Sequence, residues 1–373
     1  MTRGGLESLL AGIRRVRVAL VGDFALDAYW FVDMAKSEPS LETGLNTRPL
    51  RSQRYSLGGA GNIAANMAAL GCRSVHALGV AGPDPFAIEM IRQLRGAGVD
   101  TGGLIEQENG WATPVFIKPH AGNRELNRID TADYNRLSEA TADRLFRNLY
   151  RLLPRVDIIV VNQQIKDSLH CVSFRRRMAE FIRRHTRRLI LADTRDYGHA
   201  YRAAALKVNE HEAVRLCGMR GGKVPAKRRV ETAARMLFAK SGRPVFVTRG
   251  RKGCLVADAV GLHEVPAIRV KGKTDTVGAG DSTLAGIALA LAAGRSPVAA
   301  AELGNLAATV TIRKLHQTGT ASPAEIRRAW RNQGLRWASF ARPGVSPEYS
   351  PVDQGFANGP GQTLAHAARS LWG

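Results

Sequence analysis

The chain contains little cysteine and no cysteine pattern. Four cysteines occur among its 373 residues, and none has a second cysteine at the CxxC spacing or at any other metal-ligand spacing. They are Cys72, Cys171, Cys217 and Cys254. A disulfide framework is therefore not expected, and we interpret the cysteines as reduced structural thiols of a cytoplasmic protein.

Long apolar runs are also missing. The longest, from Leu284 to Ala293, is too short to cross a bilayer. The first residues lack the apolar core of a signal peptide because Arg14, Arg15 and Arg17 interrupt them. We therefore expect a cytoplasmic protein that does not associate with a membrane.

Acidic residues are scarce relative to basic ones. The chain has 54 Lys and Arg against 32 Asp and Glu, a formal net charge of +22. Such an excess can indicate a polyanionic partner. Here the arginines are spread along predicted helices, as in 175–177 and 183–188, without the interleaved aromatics of a base-stacking surface. This distribution favours solvated helix faces over a specific nucleic-acid site.

The hydrophobic pattern alternates between strands and helices. Short apolar runs typical of buried strands are followed by amphipathic or apolar segments of helical length. The predicted strands are 16–21, 75–80, 158–161, 189–192, 206–208, 245–248 and 254–257, and the predicted helices are 61–70, 84–95, 169–184, 229–239 and 282–293. The pattern predicts an α/β fold with a doubly wound, mostly parallel sheet and ligands at the carboxyl ends of its strands.

Three segments depart from this alternation. Residues 29–57 and 113–128 combine polar residues with residues that favour β-strands. Residues 341–373 are rich in Pro, Gly and Ser. We expect one main domain over 1–340 and a loosely ordered tail over 341–373.

The segment Asp275–Asp281 has the composition of a phosphoryl-transfer site. Gly278, Ala279 and Gly280 allow backbone N–H groups to approach an anion, and the helix that follows directs its positive dipole end there. Asp281 at the edge of this turn is the candidate general base for an acceptor hydroxyl. The competing interpretation is an ordinary turn in which Asp281 caps the helix.

Two upstream segments could bind a sugar. Gly58 and Gly59 precede a predicted helix and permit close backbone approach, while Asn62 offers both a donor and an acceptor to hydroxyl groups. Asp27, predicted in a loop after the first strand, could accept hydrogen bonds from paired hydroxyls. The alternatives are a plain helix entrance and a turn-capping acid. A loose dinucleotide fingerprint over 59–64 is discounted because no buried strand precedes it.

Two downstream segments could bind a nucleotide and its metal ion. Asn209 and Glu212 lie three residues apart at a predicted helix start, where they could hold water or Mg²⁺, or form a capping box. The run 248–253 ends one predicted strand and leads into the next. Taken by itself, this run would be an ordinary hairpin turn. The tripeptide 272–274 resembles the end of a Walker A loop but lacks its first glycine and the following helix.

Taken together, these four motifs and their order resemble the pfkB, or ribokinase-like, carbohydrate kinases. The resemblance implies ATP and Mg²⁺, a small-molecule sugar or sugar phosphate as acceptor, and a small β lid formed by about 29–57 and 113–128. In the family this lid often pairs with a second subunit, so a homodimer through the lid is expected.

The resemblance also implies roles for individual residues. Asp281 with Gly278, Ala279 and Gly280 would be catalytic, and Glu212 would act on the metal ion indirectly, through water. The substrate-binding set would be Asp27, Gly58, Gly59, Asn62 and Arg128. The nucleotide-binding set would be Asn209, Thr248, Arg249, Gly250, Gly253 and Asn305.

Within the family, the chain most resembles the heptose 7-phosphate kinases. The matching stretches are 21–30, 58–71, 128–130, 207–212, 275–281, 314–315, 318–320 and 322–323. The lid segment 33–43 departs from that branch, and no HxGH nucleotidyltransferase segment follows. Lys36, Arg124 and Arg128 could bind a substrate phosphate. A fructose, ribose or nucleoside kinase and a catalytically silent sugar-binding paralogue remain the alternatives.

Overall fold

The computed structural model describes residues 1–332 except 123, 220, 221, 223, 316 and 317. The predicted tail, 341–373, lies outside the described residues, as does the 333–340 end of the predicted main domain.

Fourteen strands and ten helices are formed by the described residues. The strands are β1 (Arg17–Gly22), β2 (Phe24–Val32), β3 (Leu50–Gly59), β4 (Ser74–Ala81), β5 (Asp100–Glu106), β6 (Val115–Ala121), β7 (Arg124–Glu125), β8 (Ile129–Asp130), β9 (Ile158–Gln163), β10 (Ile190–Thr194), β11 (Ala205–Asn209), β12 (Val245–Thr248), β13 (Cys254–Asp258) and β14 (Gly261–Val265). The helices are α1 (Arg3–Ile13), α2 (Ala60–Ala69), α3 (Pro85–Gly96), α4 (Glu139–Leu152), α5 (Val172–Arg184), α6 (Glu210–Leu216), α7 (Lys227–Ser241), α8 (Ala279–Ala292), α9 (Pro297–Thr311) and α10 (Pro323–Arg331).

Nine strands form the main sheet, in the order β14-β13-β12-β11-β10-β9-β1-β4-β5. The strands from β12 to β5 are parallel, and only β13 and β14 run antiparallel to their neighbours. Helices cover both faces: α1, α2, α8 and α9 pack on one side, and α4, α5 and α7 on the other. The predicted doubly wound α/β fold is confirmed.

Burial on both faces explains the composition of the central strands. β9 is buried at all six positions, and β10 at all five. A strand covered on both sides needs apolar residues along its whole length, which is why these runs were recognisable in the sequence. No helix among the described residues is long and apolar enough to span a membrane.

A second sheet has the order β3-β2-β6-β7, with β8 paired to β6. It is the predicted lid sheet, but its strands begin at Phe24 and end at Gly59, beyond the predicted limits of 29 and 57. Asp27 therefore lies within strand β2, and its prediction as a loop residue was wrong. The reason is that the chain passes from β1 into β2 with only Asp23 between them, which leaves no loop.

The reversal of strand order locates the crevice of the main sheet. β1 has β4 on one side and β9 on the other, so the chain winds outward in both directions from this point. In such sheets ligands bind outside the carboxyl ends of the strands at the reversal. Here those ends are Gly22 of β1 and Gln163 of β9.

Candidate active site

The turn before α8 leaves the N-terminus of that helix without a capping side chain. Gly278 is the N-cap residue at φ 75°, and no side chain accepts from the first N–H groups. Within the turn, Val277 N donates to Asp275 Oδ1 (3.0 Å) and Ala279 N donates to Thr276 O (3.2 Å). An uncapped helix start of this kind is suited to binding an anion.

Asp281 lies in the first turn of α8. This helix begins at Ala279, three residues before the predicted start at 282. Its Oδ2 accepts from Asn62 Nδ2 (2.8 Å), and its Oδ1 accepts from Gln164 Nε2 (3.1 Å). Burial raises the pKa of Asp281 to about 6, although Asn62 and the nearby Lys207 ammonium act to lower it. The carboxyl group is thus oriented by two amides and ionises near neutral pH.

Lys207 and Asp193 form a buried ion pair beside this carboxyl group. Lys207 Nζ lies 3.0 Å from Asp193 Oδ2, and the two residues are directly paired in the register of β10 and β11. Burial lowers the pKa of Lys207, but the adjacent carboxylates, first of all Asp193, outweigh burial and raise it above its ordinary value. Lys207 also lies beside Gly280, where an added Cβ would come within 3.4 Å of Nζ.

Two glycines allow α2 and the turn before α8 to meet. A Cβ on Gly278 would lie 2.6 Å from Asn62 Nδ2, and a Cβ on Gly59 would lie 2.4 Å from Asp23 O. Both residues also have positive φ, at 75° and 54°. Any other residue would be strained in its backbone at either position, and at position 278 it would also displace the Asn62 side chain that contacts Asp281.

The polar face of the lid sheet carries Asp27 and three basic or aromatic neighbours. Lys118 Nζ lies 2.6 Å from Asp27 Oδ1, and both side chains are largely buried. The register pairs Tyr29 with Arg54 on one side and Lys118 on the other, and both cations lie about 5 Å from the Tyr29 ring. Gly58 brings the backbone close to Asp27, with 3.3 Å from an added Cβ to Oδ2.

Arg128 lies on an exposed part of the lid. Its Nη2 donates to Asp130 Oδ2 (2.6 Å), and its guanidinium lies 4.9 Å from the centre of the Phe116 ring. Because Phe116 pairs in register with Asp27, Arg128 belongs to the polar face of the lid. Its contact with a substrate stays a prediction.

Asn209 and Glu212 form the capping box of α6. Asn209 Oδ1 accepts from Glu212 N (2.9 Å), and Glu212 Oε2 accepts from Asn209 N (2.8 Å). Burial raises the pKa of Glu212 above its ordinary value. Its second oxygen has no hydrogen-bond partner among the described residues and could hold a water molecule, so the capping role and the predicted indirect metal role are compatible. In residues 1–332, apart from the six omitted positions, no cluster of His, Cys, Asp and Glu has the form of a direct metal site.

The predicted nucleotide-binding residues converge on the β12–β13 hairpin. Thr248 ends β12, and Gly250 opens a short 3-10 turn. Gly253 packs so closely on the end of β14 that an added Cβ would collide with Val265 O. Asn305 of α9 donates to the carbonyls of the same segment, at 3.2 Å to Val265 O.

Arg249 is held by acidic residues of the same region. Its Nη1 donates to Glu264 Oε1 (2.8 Å), and its Nε lies 3.8 Å from Glu210 Oε2. The side chain is only 3% exposed. The structure thus places it beside the hairpin, whereas a contact with phosphate stays a prediction.

Four residues of the site were not identified from the sequence. They are Lys118, Gln164, Asp193 and Lys207. Lys207 had a detectable signal, since it lies two positions before Asn209 on the same strand. Gln164 had none, because only the packing of α8 against the end of β9 brings it to Asp281.

Comparison with known proteins identifies one family. Residues 19–325 match the pfkB family carbohydrate kinase profile, which is most of the chain. The bifunctional protein HldE of Methylococcus capsulatus is 33% identical over 328 residues, covering 85% of this chain and 64% of that protein. HldE of Mesorhizobium japonicum is 31% identical over 98% of this chain and 75% of its own length. The chain thus spans only about two thirds to three quarters of these relatives.

Solved structures share the fold at lower identity. The Arabidopsis thaliana ribokinase complexed with ribose and ATP has a TM-score of 0.67 at 19% identity, covering 84% of this chain and 98% of that one. The phosphofructokinase-2 of Escherichia coli in complex with fructose-6-phosphate has a TM-score of 0.67 at 18% identity, covering 86% and 99%. At this identity the likeness shows the ribokinase-like fold alone.

Proposed function

The chain belongs to the pfkB family of carbohydrate kinases, and from this premise we propose that it transfers the γ-phosphoryl group of ATP to a hydroxyl of a phosphorylated sugar. The observation that supports this most strongly is the position of Asp281, an oriented carboxyl group in the first turn of an uncapped helix. A base and an anion-binding helix start meet there, as phosphoryl transfer to an alcohol requires.

A phosphorylated acceptor is favoured by the charge of the lid face. Lys118 is neutralised by Asp27, but Arg54 has no acidic partner among the described residues and extends over Tyr29 on the same face. An unpaired guanidinium next to a hydroxyl-binding carboxylate suits a sugar that carries an anionic group. The HldE relatives are heptose kinases and adenylyltransferases, so a heptose 7-phosphate is our first candidate acceptor.

Proton removal is assigned to Asp281 Oδ1. Asn62 holds Oδ2 at 2.8 Å from a buried position, whereas the partner of Oδ1 is the half-exposed Gln164 at 3.1 Å. We infer that the acceptor hydroxyl replaces Gln164 at Oδ1 and delivers its proton there. As the proton passes to Oδ1, the acceptor oxygen attacks the γ-phosphorus in line, and the bond between the γ-phosphorus and the β,γ-bridging oxygen breaks, which releases ADP.

The turn before α8 would stabilise the negative charge on the transferring phosphoryl group. The glycines at 278 and 280 admit the phosphate, the helix dipole favours it, and the charged Lys207 ammonium lies beside Gly280. ATP would extend from there along the 248–253 hairpin towards Asn305. Mg²⁺, when bound, would supply further neutralisation of phosphate charge, with Glu212 holding one of its waters.

An acceptor screen with a base variant tests the proposal. We expect ADP release to depend on a sugar phosphate, with heptose 7-phosphate, fructose phosphates, ribose and nucleosides as the panel. Asp281→Asn should lower kcat by roughly 10³-fold or more while its affinity for ATP and its melting temperature stay near wild type. Asp143→Asn, at an exposed position on α4, serves as the control that should retain activity.

Two results would contradict the proposal. Turnover by Asp281→Asn near the wild-type rate would remove the assigned base. Absence of ADP release with every acceptor, together with measurable sugar binding, would instead identify a silent sugar-binding paralogue.

A further inference from the structure

Two buried asparagines lie one helical turn apart on α2. Asn62 and Asn66 are 1% and 0% exposed, and their spacing places them on one face of the helix. Asn66 Nδ2 donates to Asn62 Oδ1 (3.0 Å) and to Asn62 O (2.9 Å). Asn62 Nδ2 in turn donates to Asp281 Oδ2 (2.8 Å).

The contacts of Asn66 fix the orientation of its amide. Its Nδ2 also lies 3.2 Å from Gly319 O, so three oxygen acceptors surround one nitrogen that carries two hydrogens. With the amide reversed, Asn66 Oδ1 would face these three oxygens without a proton between them. Asn66 Oδ1 itself is buried without a partner, which shows that the nitrogen contacts determine the arrangement.

The orientation of the Asn66 amide determines the orientation of the Asn62 amide. Because Asn66 presents hydrogens to Asn62 Oδ1, the other end of the Asn62 amide, its Nδ2, must face Asp281. An asparagine without such a partner could turn its amide and present an oxygen to the carboxylate instead. That orientation would be repulsive and would disfavour the ionised base.

The third acceptor belongs to a firmly attached segment. Thr318 Oγ1 donates to Leu57 O (3.0 Å), and Lys314 Nζ donates to Thr320 O (2.6 Å). Gly319 lies between these two attachments, and a Cβ there would meet the Lys314 side chain at 2.8 Å. The run 318–320 therefore supplies a fixed carbonyl to Asn66. This run is one of the stretches that match the family.

We propose that Asn66 is a positioning residue that acts through Asn62, fixing which atom of the Asn62 amide faces Asp281 and thereby keeping the base oriented and ionised. This inference rests on the proposed function, because it concerns the same base. It assigns no contact with substrate to Asn66. Nothing about the role requires charge on Asn66 itself.

The groups around Asp281 set the direction of the expected effect. Asn62 on α2, Gln164 after β9 and Lys207 on β11 act to lower its pKa, whereas burial and Asp193 on β10 raise it. Disorienting Asn62 removes one lowering contribution, so the pKa should rise. Since the base must be ionised, the acid limb of the rate profile should move to higher pH.

The test is the pH dependence of kcat for Asn66→Leu, which retains a branched side chain but has no donor. We expect the acid limb to move up by about 0.5–1 pH unit and kcat at pH 7 to fall roughly tenfold, with KM for ATP unchanged. Asn66→Ala removes the same donors without added volume and gives the answer should the leucine variant fail to fold. Asn135→Leu is the matched control, because Asn135 is a buried asparagine that pairs with Ala112, away from the base.

A double variant separates positioning from general stability. In an Asn62→Leu background, adding Asn66→Leu should produce no further shift of the acid limb. An unmoved limb in both Asn66 variants, or an equal shift in Asn135→Leu, would overturn the proposal. If wild type itself shows no kinase activity, or no acid limb, the proposed function fails instead, so the two failures are distinguishable.

Discussion

Asp281, which is partly buried, and Asp23, which is buried, have different surroundings. Asp281 is held by side-chain amides and lies beside Lys207, whereas Asp23 Oδ2 accepts from the backbone N–H groups of Gln164 and Ile165. Asp23 Oδ1 is buried without a partner, and burial raises the pKa of Asp23 to about 7. Asp23 thus ties the end of β1 to the segment after β9 and fixes the backbone from which Gln164 reaches the base.

Asp23 should make the protein less stable as pH rises. Its folded pKa, about 7, lies above the ordinary value of 3.8, so its contribution is fully present below pH 4 and is lost as pH rises through 7. Between pH 5.5 and 8.5 we expect this group to lower the free energy of unfolding by ~2 kcal/mol. Urea unfolding of wild type and Asp23→Asn at both pH values measures it; an equal decline in the two proteins would contradict the assignment.

At the scale of elements, the site depends on close contact between α2 and the start of α8. The contact is made by Asn62 and Gly278, and the dipole of α8 is useful only because no side chain occupies its N-terminus. The lid sheet carries Asp27 and Arg54, which we propose to bind the acceptor. A glycine of the α2–α8 contact and a cation of the lid can therefore be replaced separately, and each replacement should affect one function alone.

Gly278→Ala should strongly lower turnover by displacing Asn62. The added Cβ would lie 2.6 Å from Asn62 Nδ2, so we expect kcat to fall by roughly 10²-fold or more. Gly242→Ala is the matched control, since Gly242 caps α7 at φ 62° with nothing within 4 Å of an added Cβ. Both variants should lose about 1 kcal/mol of stability from backbone strain. Equal activity in the two would show that the close contact is unimportant.

Arg54→Gln should weaken binding of a phosphorylated acceptor. Removing the unpaired guanidinium should raise KM for a sugar phosphate about 10–100-fold and leave KM for ATP unchanged. Arg73→Gln is the control, because the exposed Arg73 immediately precedes β4 and so lies at the opposite end of the main sheet from the carboxyl ends of its strands. Steady-state kinetics with both substrates decide the question. An unchanged KM for the acceptor would place its anionic group elsewhere.

At the scale of the whole molecule, the lid presents apolar side chains to solvent. The segment between β2 and β3 exposes Leu41 and Leu45, at 106% and 73%. Apolar residues grouped at one end of a protein indicate a contact surface. The net charge of +22 is spread along the sequence, and its assignment to solvated helix faces stays a prediction.

We expect a homodimer that forms through the lid. Sedimentation at micromolar concentration should give twice the 40.4 kDa chain mass, and the double variant Leu41→Ser, Leu45→Ser should shift the population to monomer because it removes apolar contact area. Ile88→Ser, on α3 and 73% exposed, is the control that should leave the dimer intact. A monomeric wild type, or a dimer unaffected by the double variant, would contradict this prediction.

The sequence by itself determined what local chemistry can specify. Buried parallel strands appear as apolar runs, the capping box at Asn209 and Glu212 follows from their spacing, and the glycines before Asp281 mark a tight turn. The main sheet and the turn that carries Asp281, the proposed base, were therefore identifiable in advance. The limits of the lid strands were harder to predict from the sequence. Asp27 has the pattern of an acidic loop residue unless its pairing with β3 and β6 is known.

Only the tertiary structure decided which side chains surround the base. Asn62 and Gln164 are 219 and 117 positions from Asp281 in the chain, and Gly319 is 253 from Asn66. Such contacts arise from packing α2 and α8 over the carboxyl ends of β1, β9, β10 and β11. A hydrogen bond between distant residues constrains two atoms in space and leaves no periodic signal in the chain, so no local pattern could have identified Gln164 or Asp193.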